Sequence, residues 1–318
     1  MKFKQVFFIV IRITLGIALL FFLLWKADVQ KITDIVKQVN IFSILVSIVL
    51  FLFALVVISV RWRILLKAHS VNIPFGKSLS YYLVGFFFNN FLPTILGLDM
   101  VRAIYVSNNY GKKAECFASV ISEKMIGSLA ILLLGVFFLP PFITKDINIL
   151  YIFIGFLVLA IVFMTGVFFF PHRKRLKKFL WITKPRILRT FKNKVAGLYD
   201  AMYYYRNRKG IVFQTLLLSS VYQLILFTMV FFIARAISVS IPFYYYLAFL
   251  PVIHIGSMIP ITPNGMGIRE GLYVYLFRLA GVSPSESILI SIIFAVIILI
   301  ISISGGIIFI FGVKKSRN

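Results

Sequence analysis

Apolar residues run along this chain in stretches of helix length, with polar positions confined to short gaps between them. Val6–Trp25, Ile41–Val60, Ala118–Pro141, Leu150–Phe170, Ile211–Ala236 and Ile288–Phe311 each reach the twenty or so residues that a helix needs to cross a bilayer. None alternates with period two, which excludes a transmembrane β-barrel. Two further apolar stretches are broken. Ser78–Gly97 contains Asn89, Asn90 and Pro93, and Tyr244–Ile261 contains Pro251, His254 and Pro260. Gly271–Ala280 is apolar on one side and too short to span. The pattern predicts an all-α polytopic membrane protein with six to eight transmembrane helices, two of them broken or re-entrant.

Composition agrees with that class. Hydrophobic residues make up 61% of the 318 and charged residues 14%, with a mean hydropathy of +1.01. A soluble domain needs far more polar surface to cover one core. The first span is followed by no small-residue cleavage site, so it is expected to stay as an anchor. The whole of 1–318 is expected to form one membrane domain. Residues 1–170 make a first half and 211–318 a second. Residues 171–210 make a basic loop between them.

The net charge of +25 lies in the short segments beside the spans. Lysines and arginines crowd the loop from Arg173 to Lys209 against one acid, Asp200. Arg61, Arg63, Lys67 and Lys77 mark a second basic loop, and Lys2, Lys4, Lys314, Lys315 and Arg317 sit at the two ends. By the positive-inside rule these segments face the cytoplasm, so both termini are expected inside the cell, in a cytoplasmic (inner) membrane. Ser78–Lys113 must then begin and end on one side, as a re-entrant hairpin does. No nucleic-acid motif accompanies the charge, so the expected partner is anionic lipid and not nucleic acid. Within the loop, Leu188, Phe191, Val195, Leu198, Met202 and Tyr205 recur at helical steps, which predicts an amphipathic helix.

Cys116 is alone, and His69, His172 and His254 are scattered, so no metal site is expected. Only His254 lies at membrane depth, where it serves either a site or helix packing through a hydrogen bond. A phosphate-binding G-x-x-x-x-G-K-[ST] loop is absent, and no cofactor is expected.

The chemistry therefore concentrates in the interruptions. Each places a proline nine residues before an arginine: Pro93 before Arg102, and Pro260 before Arg269. Irregular backbone and charge at membrane depth are tolerated only where protein or a watery cavity satisfies them. The first interruption supplies Asn89, Asn90, Asp99 and Arg102, with Glu123-Lys124 near the start of the next span. Arg102 is expected to pair with Glu123 or Asp99, as a clasp, a phosphate contact, or both. The second supplies Asn264, Arg269 and Glu270 beside glycine-rich backbone that can receive an anion. The shared spacing suggests two inverted halves meeting near the midplane.

At these residues the chain resembles a known family. Asn90-x-Leu92-Pro93, Gly97-x-Asp99-x-x-Arg102, Glu123-Lys124-x-x-Gly127 and Pro260-Ile261-Thr262-Pro263-Asn264-Gly265-Met266-Gly267-Ile268-Arg269-Glu270 are similar to the membrane region of lysylphosphatidylglycerol synthases, which includes stand-alone flippase-like proteins. Where that family usually has Glu-Arg, this chain has Glu123-Lys124. The resemblance implies translocation of a lipid or lipid-linked headgroup. Bifunctional relatives carry a cytosolic aminoacyl-transferase domain after this region. With the sequence stopping at Asn318, lysyl transfer is not expected. An intramembrane transferase acting on lipid or glycan-lipid phosphates and a non-catalytic partner subunit are the alternatives.

Overall fold

A computed structural model describes residues 14, 34–91, 97–144, 146–168, 203–205, 208–259, 262 and 265–312. The first span, most of the amphipathic helix of the basic loop, Pro93, Pro260, Pro263 and Asn264 lie outside the described residues, as does the side chain of Asn90. Pro251 does not break its stretch but sits inside the helix Phe243–Ser257. What is described is helical, in nine main elements. These are α1 (Ile41–Ala68), α2 (Phe75–Phe91), α3 (Gly97–Tyr110), α4 (Lys113–Phe138), α5 (Ile147–Phe168), α6 (Lys209–Ala236), α7 (Phe243–Ser257), α8 (Ile268–Arg278) and α9 (Pro284–Gly312). Five of them, α1, α4, α5, α6 and α9, are long and apolar enough to cross a membrane. The chain is a multi-pass α-helical membrane protein.

Local chemistry starts and stops these helices. The Asn40 side chain accepts the Ser43 N–H at 3.2 Å and caps α1. Helix α9 opens on a capping box: Ser283 Oγ accepts from Glu286 N at 3.4 Å, and the Glu286 carboxylate accepts from Ser283 N at 2.8 Å. Gly265 has a φ of +67°, and a Cβ there would lie 2.8 Å from the Ser257 carbonyl oxygen. Only glycine suits the turn between α7 and α8.

Tertiary hydrogen bonds sort the helix ends into two faces. At one, the Asn40 N–H donates to the Ala236 carbonyl at 2.8 Å, joining the start of α1 to the end of α6. At the other, Tyr205 donates to the Leu65 carbonyl at 2.9 Å, and Lys112 Nζ donates to the His69 and Ser70 carbonyls at 3.0 and 3.3 Å. Lys112 sits in the turn between α3 and α4, while His69 follows α1. The hairpin α2–α3 therefore enters and leaves on the face where α1 ends. Its helices have 17 and 14 residues, about 25 and 21 Å at 1.5 Å per residue, short of a ~30 Å hydrocarbon core. This is the re-entrant arrangement that the charge pattern required.

The hairpin α7–α8 does the reverse. It starts after the end of α6, and its returning helix places Tyr275 OH 2.8 Å from Asp146, just ahead of α5. Because α4 begins at the Lys112 face and runs 26 residues, Asp146 belongs to the opposite face. Each half is thus a spanning helix, a helical hairpin and a second spanning helix, inserted in opposite senses. The inversion also shows in the contacts: α4 packs on α7, α9 packs on α2, and α1 pairs with α6. Gly305 and Gly306 of α9 lie so close to Leu83, Val84 and Phe87 that no Cβ fits without movement. Helix α5 connects the halves and rests on α4, presenting most of its apolar surface outward.

The four basic residues read as a loop all lie on helices, Arg61, Arg63 and Lys67 on α1 and Lys77 on α2. Arg61 marks no loop; α1 continues to Ala68, and Arg61 is buried at 5% exposure. The apolar run that resumes after Arg63, Ile64-Leu65-Leu66, extends the helix past its charges. Arg63 and Lys67 do lie near the end of the helix, beside Lys77 and the Lys112–Lys113 turn. Among the described residues, the Lys112 face gathers most of the basic side chains. The opposite face balances Lys37, Arg235 and Arg278 with Asp34, Asp146 and Glu286.

Candidate functional site between two hairpins

The first hairpin is fastened by a buried network of charges. Glu123, at 1% exposure on α4, takes Arg61 Nη2 at 2.7 Å and Nε at 3.1 Å on one carboxylate oxygen. Tyr82 OH donates to that same oxygen. Its other oxygen accepts Arg102 Nη1 at 2.9 Å. Arg102 then reaches Asp99, one turn back on α3, at 2.7 Å, and Lys124 closes the chain on the other Asp99 oxygen at 3.0 Å. The Arg102 guanidinium also lies 4.0 Å from the Tyr82 ring centre and 4.8 Å from that of Trp62, an arrangement that favours a desolvated cation. Ser219 of α6 accepts from Arg61 Nη1 at 2.9 Å.

Asp99, Arg102, Glu123 and Lys124, all singled out in the sequence, thus form one assembly across α3 and α4. Its remaining members, Arg61, Tyr82, Trp62 and Ser219, were not anticipated. Arg102 pairs with both of its expected partners. At 2% exposure it is enclosed, and it does not line the central cavity. Ion pairs this deep must be complete, because an uncompensated charge out of water costs several kcal/mol.

The second arginine is held differently. Arg269 stands in the first turn of α8, and its Nη2 and Nε donate to a Glu270 oxygen at 2.6 and 3.0 Å. Its Nε also reaches Ser291 Oγ on α9 at 2.8 Å. Glu270 is occupied on both sides, accepting the Gly267 N–H at 2.6 Å and Ser291 Oγ at 2.9 Å. Ser291 lies about where Glu123 does in the first half: Arg102 reaches 21 residues ahead to Glu123, Arg269 22 residues ahead to Ser291. A hydroxyl thus takes the place of a carboxylate. Arg269 Nη1 has no hydrogen-bond partner among the described residues, and the side chain keeps 17% exposure.

That exposure opens onto a cavity of about 450 Å³ between α2, α6, α7, α8 and α9. Asn89, near the inner end of the first hairpin, lines it together with His254, Ser257, Arg269 and Tyr273 of the second. The remaining wall is apolar, including Phe86, Phe227, Phe294 and Leu299. Leu299, which also lines the cavity, is 44% exposed and sits on α9 beside Val296 and Ile300, exposed at 43% and 61%, so the cavity borders an exposed face of α9. Of the sequence-selected residues, Asn89 and Arg269 meet here, although 180 positions separate them. His254, read at membrane depth, faces the same space beside Phe227, with ring centres 6.5 Å apart. A pocket of this size and lining suits one polar group carried on an apolar body. Among the described residues, no three of His, Cys, Asp and Glu come together as a metal site.

Residues 9–305 match the family model described as the lysylphosphatidylglycerol synthase TM region. The chain is 24% identical over 298 residues to the UPF0104 membrane protein PH1989 of Pyrococcus horikoshii, covering 87% of this chain and 88% of that one. A UPF0104 membrane protein of Methanothermobacter thermautotrophicus is 21% identical over 294 residues, with 87% of each chain covered. MJ1595 of Methanocaldococcus jannaschii, also a UPF0104 membrane protein, is 21% identical over 303 residues, with 86% of each covered. No solved structure matches the chain.

Proposed function

Because the chain belongs to the family of the lysylphosphatidylglycerol synthase transmembrane region, we propose that it translocates a lipid or lipid-linked anionic headgroup across a cytoplasmic membrane. One observation carries this reading: an arginine with a spare donor, Arg269, faces a cavity between two oppositely inserted hairpins, and that cavity borders the exposed face of α9 at Leu299. An arginine fork suits a phosphate oxygen, and the low local dielectric strengthens the contact. Asn89, His254 and Tyr273 offer further polar groups, while acyl chains stay outside along α9. The Arg61–Glu123–Arg102–Asp99–Lys124 assembly holds the first hairpin in place as the wall against which the second works. The basic face is the cytoplasmic one, with both termini on that side. The protein acts as a translocator and leaves the headgroup's covalent bonds intact.

The test is leaflet exchange of fluorescent phospholipids in vesicles containing the purified protein. Wild type accelerates exchange above the protein-free rate, and Arg269→Ala falls back toward it. Equal rates for wild type and protein-free vesicles overturn the reading.

A further inference from the structure

A second, smaller notch lies at the basic face, away from the central cavity. It measures about 280 Å³ and is walled by Val60, Arg63, Ile64 and Lys67 of α1 together with Asn72 and Ile73 of the loop that leads into α2. Residues 60, 63, 64 and 67 recur at helical steps of three and four, so they share one stripe of α1. Arg63 Nε donates to the Ile73 carbonyl at 3.0 Å, which ties the loop to the helix and fixes the guanidinium over the notch. Among the described residues, neither Arg63 nor Lys67 has an acidic partner. Toward the membrane interior the same stripe continues through Val56, Leu52 and Val49, exposed at 37%, 47% and 63%.

The arrangement is amphipathic along its length: two cations with no acidic partner among the described residues stand at the end of a spanning helix, above an apolar track that faces outward. Long basic side chains lay their stems on apolar surface and keep their charge at the interface. We propose that this notch is a binding site for one anionic phospholipid of the leaflet at the basic face. The headgroup phosphate lies between Arg63 and Lys67, and an acyl chain lies along Val56, Leu52 and Val49. The site is separate from the translocation cavity, and its occupant braces the loop that enters the first hairpin.

Native mass spectrometry of the full chain, equilibrated with equal amounts of dioleoylphosphatidylglycerol and dioleoylphosphatidylcholine, tests this. Wild type retains phosphatidylglycerol over phosphatidylcholine. Lys67→Gln, which leaves the Arg63–Ile73 bond intact, lowers that preference about fivefold, the factor that one basic residue near an anionic leaflet supplies. Lys67→Gln with Arg63→Gln brings it close to parity. Lys37→Gln, which removes a basic residue at the opposite face, keeps the wild-type preference. A preference kept in the Lys67→Gln, Arg63→Gln double variant overturns the proposal, as does displacement of the lipid by millimolar inorganic phosphate.

Discussion

The two hairpins carry the same proline-to-arginine spacing and treat the arginine in opposite ways. In the first, Arg102 is enclosed between two carboxylates and two aromatic rings, with Arg61 drawn onto the same Glu123. In the second, Arg269 has one carboxylate, its own neighbour Glu270, and a serine where the first half has Glu123. The first arginine is spent on holding the fold, and the second keeps a donor facing a cavity. Inverted halves need not stay chemically equal. One partner residue on the following span, glutamate or serine, decides which half is fastened and which remains open to a ligand.

The sharpest way to break this contrast is to unfasten the first hairpin. Glu123→Gln leaves Arg61 and Arg102 buried without their shared charge. It should cost about 3–5 kcal/mol, the usual penalty for breaking one side of a buried pair. Thermal unfolding in detergent reads this directly, and Glu270→Gln should cost clearly less, because Arg269 is partly exposed and also bonded to Ser291. A second test addresses the seam between halves. In Gly305→Ala the added Cβ would sit 2.0 Å from the Leu83 carbonyl oxygen, so α9 and α2 must separate. Overpacking of this kind costs about 1–3 kcal/mol. The same experiment at Gly155, which has open space around it, should leave unfolding close to wild type once the gain in helix propensity is allowed for.

The smallest effect concerns the outer end of the second hairpin. Asn148's backbone N–H and the Tyr275 hydroxyl hold the Asp146 carboxyl below the usual carboxylate range. A lowered carboxylate favours the folded state above its ordinary pKa, and that contribution is lost as pH falls through the lowered value. Tyr275→Phe should therefore lower the unfolding temperature slightly at pH 7, and the difference from wild type should shrink away as pH falls below about 4.

Much of this architecture was legible in the amino-acid order. Helix-length apolar runs fixed the class, and the placement of lysine and arginine required a hairpin that enters and leaves on one face. The pairing of Arg102 with Asp99 and Glu123 followed from the cost of isolated charge in lipid. Arg61 was misread because a basic residue after a long apolar run looks like the start of a loop. The apolar Ile64-Leu65-Leu66 beyond it was the signal that the helix continues. The cavity was not legible as a shape, since its walls come from five helices far apart in the chain. Its polar members could still be found singly, as His254, Asn89 and Arg269 were, because each is a polar group in an apolar segment.

The most direct test fills the cavity without touching a charge. Ala295 lines it from α9, and Ala295→Trp would occupy the space before Arg269 while leaving both ion-pair networks in place. If the headgroup passes there, Ala295→Trp folds with wild-type stability to within a few degrees and exchanges fluorescent phospholipid at the protein-free rate. A folded Ala295→Trp protein that exchanges lipid as fast as wild type would contradict the account.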